Sequence, residues 1–234
     1  MSTTVASSAF RPTSPPAAPG TLVIIAAVLA VWLAAVVVLG ATGALASPPG
    51  KPPAAIGIGF AAPMVLFFVS LWLSRSFREF ILSLDLRLIT GIQAWRFAGL
   101  GFLALYASNV LPGGFALPAG LGDMAIGITA PWMVAALTRQ PSFASSMSFR
   151  VWNLLGILDL VTAVSDGALH AALATGAPGQ ITTGAMAQLP LALIPVYLVP
   201  LFFMMHMTAL LQSRRAANSF RLATTSSVGA AGTG

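Results

Sequence analysis

The 234-residue sequence contains no cysteine, which excludes disulfides, iron–sulfur clusters and thiol chemistry and leaves the redox compartment open. It is also poor in charge. Only 7% of its residues are Asp, Glu, Lys or Arg, against about 25% in an ordinary soluble domain. Five acids and two histidines are spread along the chain without a Ser/His/Asp order, a metal-ligand cluster or a phosphate loop. No catalytic, metal-binding or cofactor-binding residue is therefore assigned, and no cofactor is expected. The net charge of +6 does not point to nucleic acid, because the basic residues are scattered and lack interleaved aromatics.

What the sequence has is apolar length. Hydrophobic residues make up 57% and the mean hydropathy is +0.91. Runs of roughly 20 apolar residues are the signature of membrane spans. Six can be read, at about 21–43, 54–74, 93–111, 118–138, 150–172 and 187–212. The expected fold is an all-α polytopic helix bundle whose first partner is the lipid bilayer. Residues 1–20 and 213–234 are small and polar and read as disordered tails. Residues 75–90 place Phe77, Phe80, Ile81, Leu84 and Leu88 on one helical face, the pattern of a helix lying in the membrane interface.

Ten of the eleven basic residues fall on one side of these spans, among them Arg75, Arg78, Arg87, Arg96, Arg139 and Arg150, with Lys51 alone opposite. The positive-inside rule then puts both termini in the cytoplasm. Trp72, Trp95 and Trp152 fall near that same interface, as an aromatic belt would. The segment ALA at 44–46 fits a signal-peptidase site, but the preceding apolar run is too long and the leader carries only Arg11. The first helix is expected to be retained.

Three of the five acids lie inside spans. Asp159 falls about 13 Å above the inner edge and Asp166 about 24 Å, on a rise of ~1.5 Å per residue. Asp123 and Asn109 reach about the same level as Asp166 by the same arithmetic. The expectation is an outer polar layer of Asn109, Asp123 and Asp166, with Asp159 alone below it and His170 near the outer edge. Asp159, Asp166 and His170 share one helical face with Ala163, and Gly167 lies close by. Intramembrane acids usually face the bundle interior or a water-filled cavity. These five are the candidate residues for binding a ligand or proton. The bland reading gives each acid a neighbour, such as Thr129, Thr162, Ser165 or Asn153, and a helix-packing role. The segment LPGGFALPAGLGD (111–123) then reads as a tight turn feeding Asp123 into a pocket.

Other motifs carry less. Gly120-Leu121-Gly122-Asp123 resembles the G-x-G-D motif of presenilin-like and prepilin peptidases, but no partner acid lies on an earlier span. Met204-Met205-His206-Met207 offers soft ligands, yet His206 reads as near the cytoplasmic end of its span and far from His170. Pro190, Pro195 and Pro200 predict a bent last span. LGDMAIGITA (121–130) and ILDLVTAVSD (157–166) are similar over too short a length to mark a repeat.

The segments QAWRFAGLGFL (93–103), LPAGLGD (117–123) and WNLLGILDLVTAV (152–164) resemble a pattern of uncharacterised bacterial multi-pass inner-membrane proteins. That resemblance implies a bacterial inner-membrane address and brings no activity. The sequence leads to a small-solute or ion transporter, or a subunit of one, with an outward-facing carboxylate-lined pocket for a small solute or cation. A non-catalytic membrane component that assembles with or senses a protein partner is the alternative, and a membrane-embedded enzyme the third.

Overall fold

The computed structural model describes residues 19–231, with side chains described for residues 20–218. The expected N-terminal tail lies almost wholly outside the described residues. The fold is all-α. Helix α1 spans Pro19–Ala41 and α2 Ala54–Leu73; two short helices follow, α3 at Arg75–Ser83 and α4 at Leu86–Ile92. A 3-10 segment, Gln93–Gly99, leads into α5 at Leu100–Ala107. Then come α6 (Gly113–Arg139), α7 (Met147–Ala172), a π-helical turn at Ile194–Leu198 and α8 (Val199–Ala231). Among the described residues, six helical segments are long and apolar enough to cross a membrane. The chain is a multi-pass membrane protein.

The segment 75–90 is not one interface helix. Ser74 caps α3 by accepting from the Phe77 N–H, and Asp85 caps α4 by accepting from the Arg87 N–H. Leu84, between them, has extended backbone (φ −60°, ψ 142°). Two N-cap signals eleven residues apart favour two helices over one. Only α3 is the amphipathic piece. Helix α4 is apolar and opens the third span, Leu86–Ala107, so that span begins well before residue 93.

One further expectation changes. The backbone from 213 is helical as far as Ala231. The last span is irregular, with a π turn where Pro195 and Pro200 withdraw two N–H donors from the ladder.

The core forms around α6. Phe102 and Leu111 bury together with its Phe115 and Ala116, while Leu160, Val199 and Phe202 form a second cluster between α7 and α8. Helix α6 lies against the 3-10 segment so closely that a Cβ at Gly127 would overlap the backbone of Arg96 and Phe97. Small residues permit this approach, and it fixes Arg96 within the bundle. Helix α1 is peripheral. It packs on the rest through buried Val36 and through Trp32, whose ring centroid is 4.6 Å from that of Tyr197, while Val23, Ile24 and Val31 are exposed as lipid-facing residues would be.

Candidate functional site

The centre of the bundle is organised by an arginine. Arg96 follows Leu86, where its span begins, by ten residues, about 15 Å along the helix axis. That is half the thickness of a hydrocarbon core of about 30 Å. Its side chain is 0% exposed. The expectation that Arg96 belongs to the interfacial basic set is therefore corrected. With α4 as the start of the span, Asp85 and Arg87 mark the boundary and Arg96 lies deep inside.

A charge at this depth requires partners, and three helices supply them. Arg96 Nε donates to Asp123 Oδ1 of α6 at 2.7 Å, and Nη2 pairs with Asp159 Oδ2 of α7. Nη1 donates to the Gly156 carbonyl at 3.3 Å and to His206 Nε2 of α8 at 3.1 Å. A guanidinium has only donors, so His206 must accept at Nε2 and carry its proton on Nδ1. That Nδ1–H donates to Asn153 Oδ1 at 2.9 Å, and Asn153 Nδ2 donates to the Phe149 carbonyl at 2.8 Å. The result is a continuous relay of donors from Arg96 to the backbone of α7.

Packing holds the relay in register. The Trp152 ring lies 5.4 Å from that of His206, edge-on, and its Nε1–H donates to Thr129 Oγ1 at 2.8 Å. Trp152 is thus an interior residue and leaves the expected aromatic belt; Trp95 is exposed but, nine residues past Leu86, lies as deep as Arg96 and leaves it too, whereas Trp72 stays exposed at the end of α2. Gln93, three residues before Arg96, donates from Nε2 to the Phe202 carbonyl at 3.3 Å. At Gly122 a Cβ would overlap the Asp159 carboxylate. Glycine there lets α6 and α7 close on one cation, bringing both acids to the same guanidinium.

The five candidate residues divide into three places. Asp123 and Asp159 meet at Arg96, so Asp159 does not stand alone. Asp166 and His170 pair with each other along α7, Oδ1 to Nδ1 at 3.1 Å. Asn109 is exposed in a turn, with φ at 57°. The expected single layer of Asn109, Asp123 and Asp166 does not form, because the side chain of Asp123 turns to Arg96. Nor do the acids take the neutral neighbours that a packing role would give them. Thr129 serves Trp152, Asn153 serves His206, and Thr162 binds the Asp159 backbone carbonyl at 2.8 Å.

His206 lies twelve residues into the last span, which starts at Ile194, and is fully buried. Its expected position near a membrane boundary is corrected too. The irregular 194–198 turn lies within the span, so the count runs from there. Among the described residues no group of three or more His, Asp or Glu side chains is arranged to hold a metal ion.

A cavity of about 410 Å³ opens from this cluster towards the end of the bundle that carries the α1–α2 and α7–α8 connections. Asp123 is part of its wall, and Lys51 is its other charged residue. Between them the lining is mainly apolar, including Phe102, Phe115, Ala163 and Gly167. The size and the mix of apolar wall with few polar groups suit a small-molecule site. Asp123 and Asp159 retain 17% and 16% side-chain exposure beside the wholly buried Arg96. With both ionised, the cluster carries one negative charge in excess, and Asp123 presents it to the cavity.

The chain belongs to a family described as Domain of unknown function (DUF8737), whose model matches residues 53–213. The match takes in every residue of the Arg96 cluster. No curated protein and no solved structure matches the chain.

Proposed function

We propose that the chain is a small-solute or ion transporter, or the membrane subunit of one, that takes its ligand into the 410 Å³ cavity and holds a cationic or polar group at Asp123. The observation that carries this reading is one carboxylate shared between a buried ion-pair cluster and an apolar cavity open at one end of the bundle. An intramembrane arginine with two acids is costly to desolvate, and such groups in membrane proteins mark substrate and ion pathways. A ligand cation at Asp123 would compete directly with Arg96, which gives the bundle two arrangements of one charge network.

Orientation follows the basic residues. Taking Arg96 out of the ten leaves nine of eleven on one side, and the rule still favours both termini in the cytoplasm and Lys51 outside. The cavity then faces outward. The resemblance of residues 93–103, 117–123 and 152–164 to bacterial inner-membrane proteins supports that address.

The test is uptake by purified protein in proteoliposomes, using a panel of small organic cations and neutral solutes at several external pH values. The reading expects pH-dependent uptake of at least one cation and its loss in Asp123→Asn. No uptake, together with a stoichiometric protein partner retained through purification, would favour the assembly component instead.

A further inference from the structure

A second feature lies at the opposite end of the bundle from Lys51 and owes nothing to the Arg96 cluster. There α2, α3 and α8 enclose a groove of about 580 Å³. Its wall changes character with depth. Helix α2 has 20 residues, Ala54–Leu73, or about 30 Å of rise, so its C-terminal end reaches the boundary of the apolar layer. Phe68 and Leu71 lie on its last turns, and Leu211 faces them from α8. Above these apolar residues stand Arg78 of α3 and Arg215 and Asn218 of α8. No acidic residue lines the groove among the described residues.

Arg78 is held in place. Its Nε and Nη2 donate to the Leu71 carbonyl at 3.2 and 2.9 Å, and Nη2 reaches the Trp72 carbonyl at 3.5 Å. These are end carbonyls of α2, which have no partner further along the helix. The bonds fix the guanidinium at the helix end and leave the two Nη1 hydrogens uncommitted to them. The indole of Trp72, also lining the groove, is 79% exposed, as suits a ring at the level of lipid headgroups. The surrounding segments 75–87 and 211–218 contain Arg75, Arg78, Arg87, Arg214 and Arg215 against Glu79 and Asp85. The local balance is strongly positive.

We infer that this groove binds one anionic phospholipid, its phosphate between Arg78 and Arg215 and an acyl chain along Phe68, Leu71 and Leu211. The argument is complementarity in two respects. Charge matches, because two arginines line the groove in a positively charged surrounding and, among the described residues, its lining holds no acid. Polarity also matches, because an apolar floor under a cationic rim repeats the layout of a phospholipid at the depth where one lies. Helix α3 supplies the reason for the shape: a short amphipathic helix joined at Ser74 turns back over the end of α2 and roofs the groove.

The experiment is native mass spectrometry of the full-length chain in mild detergent. It is titrated with phosphatidylglycerol and with phosphatidylcholine of the same acyl chains. The expected result is preferential retention of the first phosphatidylglycerol. Arg215→Gln should lower that preference about fivefold, the equivalent of the ~1 kcal/mol that one arginine contributes near an anionic surface. Arg78→Gln should do the same if the protein stays folded; Arg215→Gln, which removes none of the Arg78 bonds to the α2 carbonyls, keeps the test valid otherwise. Lys51→Gln, at the other end, should leave the preference unchanged. Equal retention of the two lipids, or an unaltered preference in Arg215→Gln, would overturn the inference. So would displacement of the bound lipid by soluble glycerol phosphate, which would identify a free-anion site.

Discussion

Arg96 and Asp123 are 27 residues apart in sequence, yet Arg96 Nε lies 2.7 Å from Asp123 Oδ1 in the middle of the bundle. The pair joins the third and fourth spans, and Asp159 and His206 join the fifth and sixth to the same guanidinium. One side chain therefore connects four spans.

Replacing Arg96 with glutamine leaves two carboxylates without a counterion in a low-dielectric site. A loss of about 3–5 kcal/mol is expected for a buried pair broken on one side, read as thermal or denaturant stability in detergent. Arg96→Lys should rescue only part of it, because a single ammonium cannot match the directions of two carboxylates, a carbonyl and His206 at once. Wild-type stability in Arg96→Gln would show that the cluster does not hold the spans together.

The relay behind the arginine makes a separate prediction. His206→Phe removes the acceptor for Arg96 Nη1 and the donor for Asn153, at a cost of about 1–3 kcal/mol. Asn153→Ala should cost a similar amount. The double variant should fall short of the sum of the two, since both break one chain of bonds. Strict additivity would mean the two residues act independently.

Gly122→Ala tests the close approach of α6 and α7. The added methyl group meets the Asp159 carboxylate, and overpacking of this kind costs about 1–3 kcal/mol. In an Asp159→Ala background the same substitution should cost much less. Equal costs in the two backgrounds would place the strain elsewhere.

Orientation is tested by reporter fusions after Arg221 and within residues 173–186. The basic-residue bias predicts a cytoplasmic signal from the first and an external one from the second. Matching signals would contradict a six-span topology.

The multi-pass helical fold was legible because apolar runs of membrane length are hard to mistake at this composition. The acids were legible for the same reason: Asp123 and Asp159 stand out where charge is scarce. Their partner was not. Arg96 follows a run of basic residues between two apolar stretches, and counting it with them hid the fact that Leu86–Ile92 is itself apolar. The signal that could have found it is the Asp85–Arg87 boundary, together with two deep acids that need a cation. His206 was missed because three methionines surround it and the irregular turn at 194–198 shifts where its span begins. Tertiary convergence on one arginine is not written in any single helical face.

The measurement that tests the account most directly uses the absence of cysteine. Ala168 lines the cavity, so Ala168→Cys creates a single thiol there with no background. Membrane-impermeant cationic and anionic thiosulfonates of similar size are added to intact cells. The account predicts labelling from outside, faster by the cationic reagent, and a fall in the cation-to-anion rate ratio when Asp123→Asn is added. Lys51 opposes cations equally in both backgrounds, so the change in ratio reports Asp123 alone. No labelling from outside, or the same ratio with and without the carboxylate, would contradict an outward cavity whose ligand is held at Asp123.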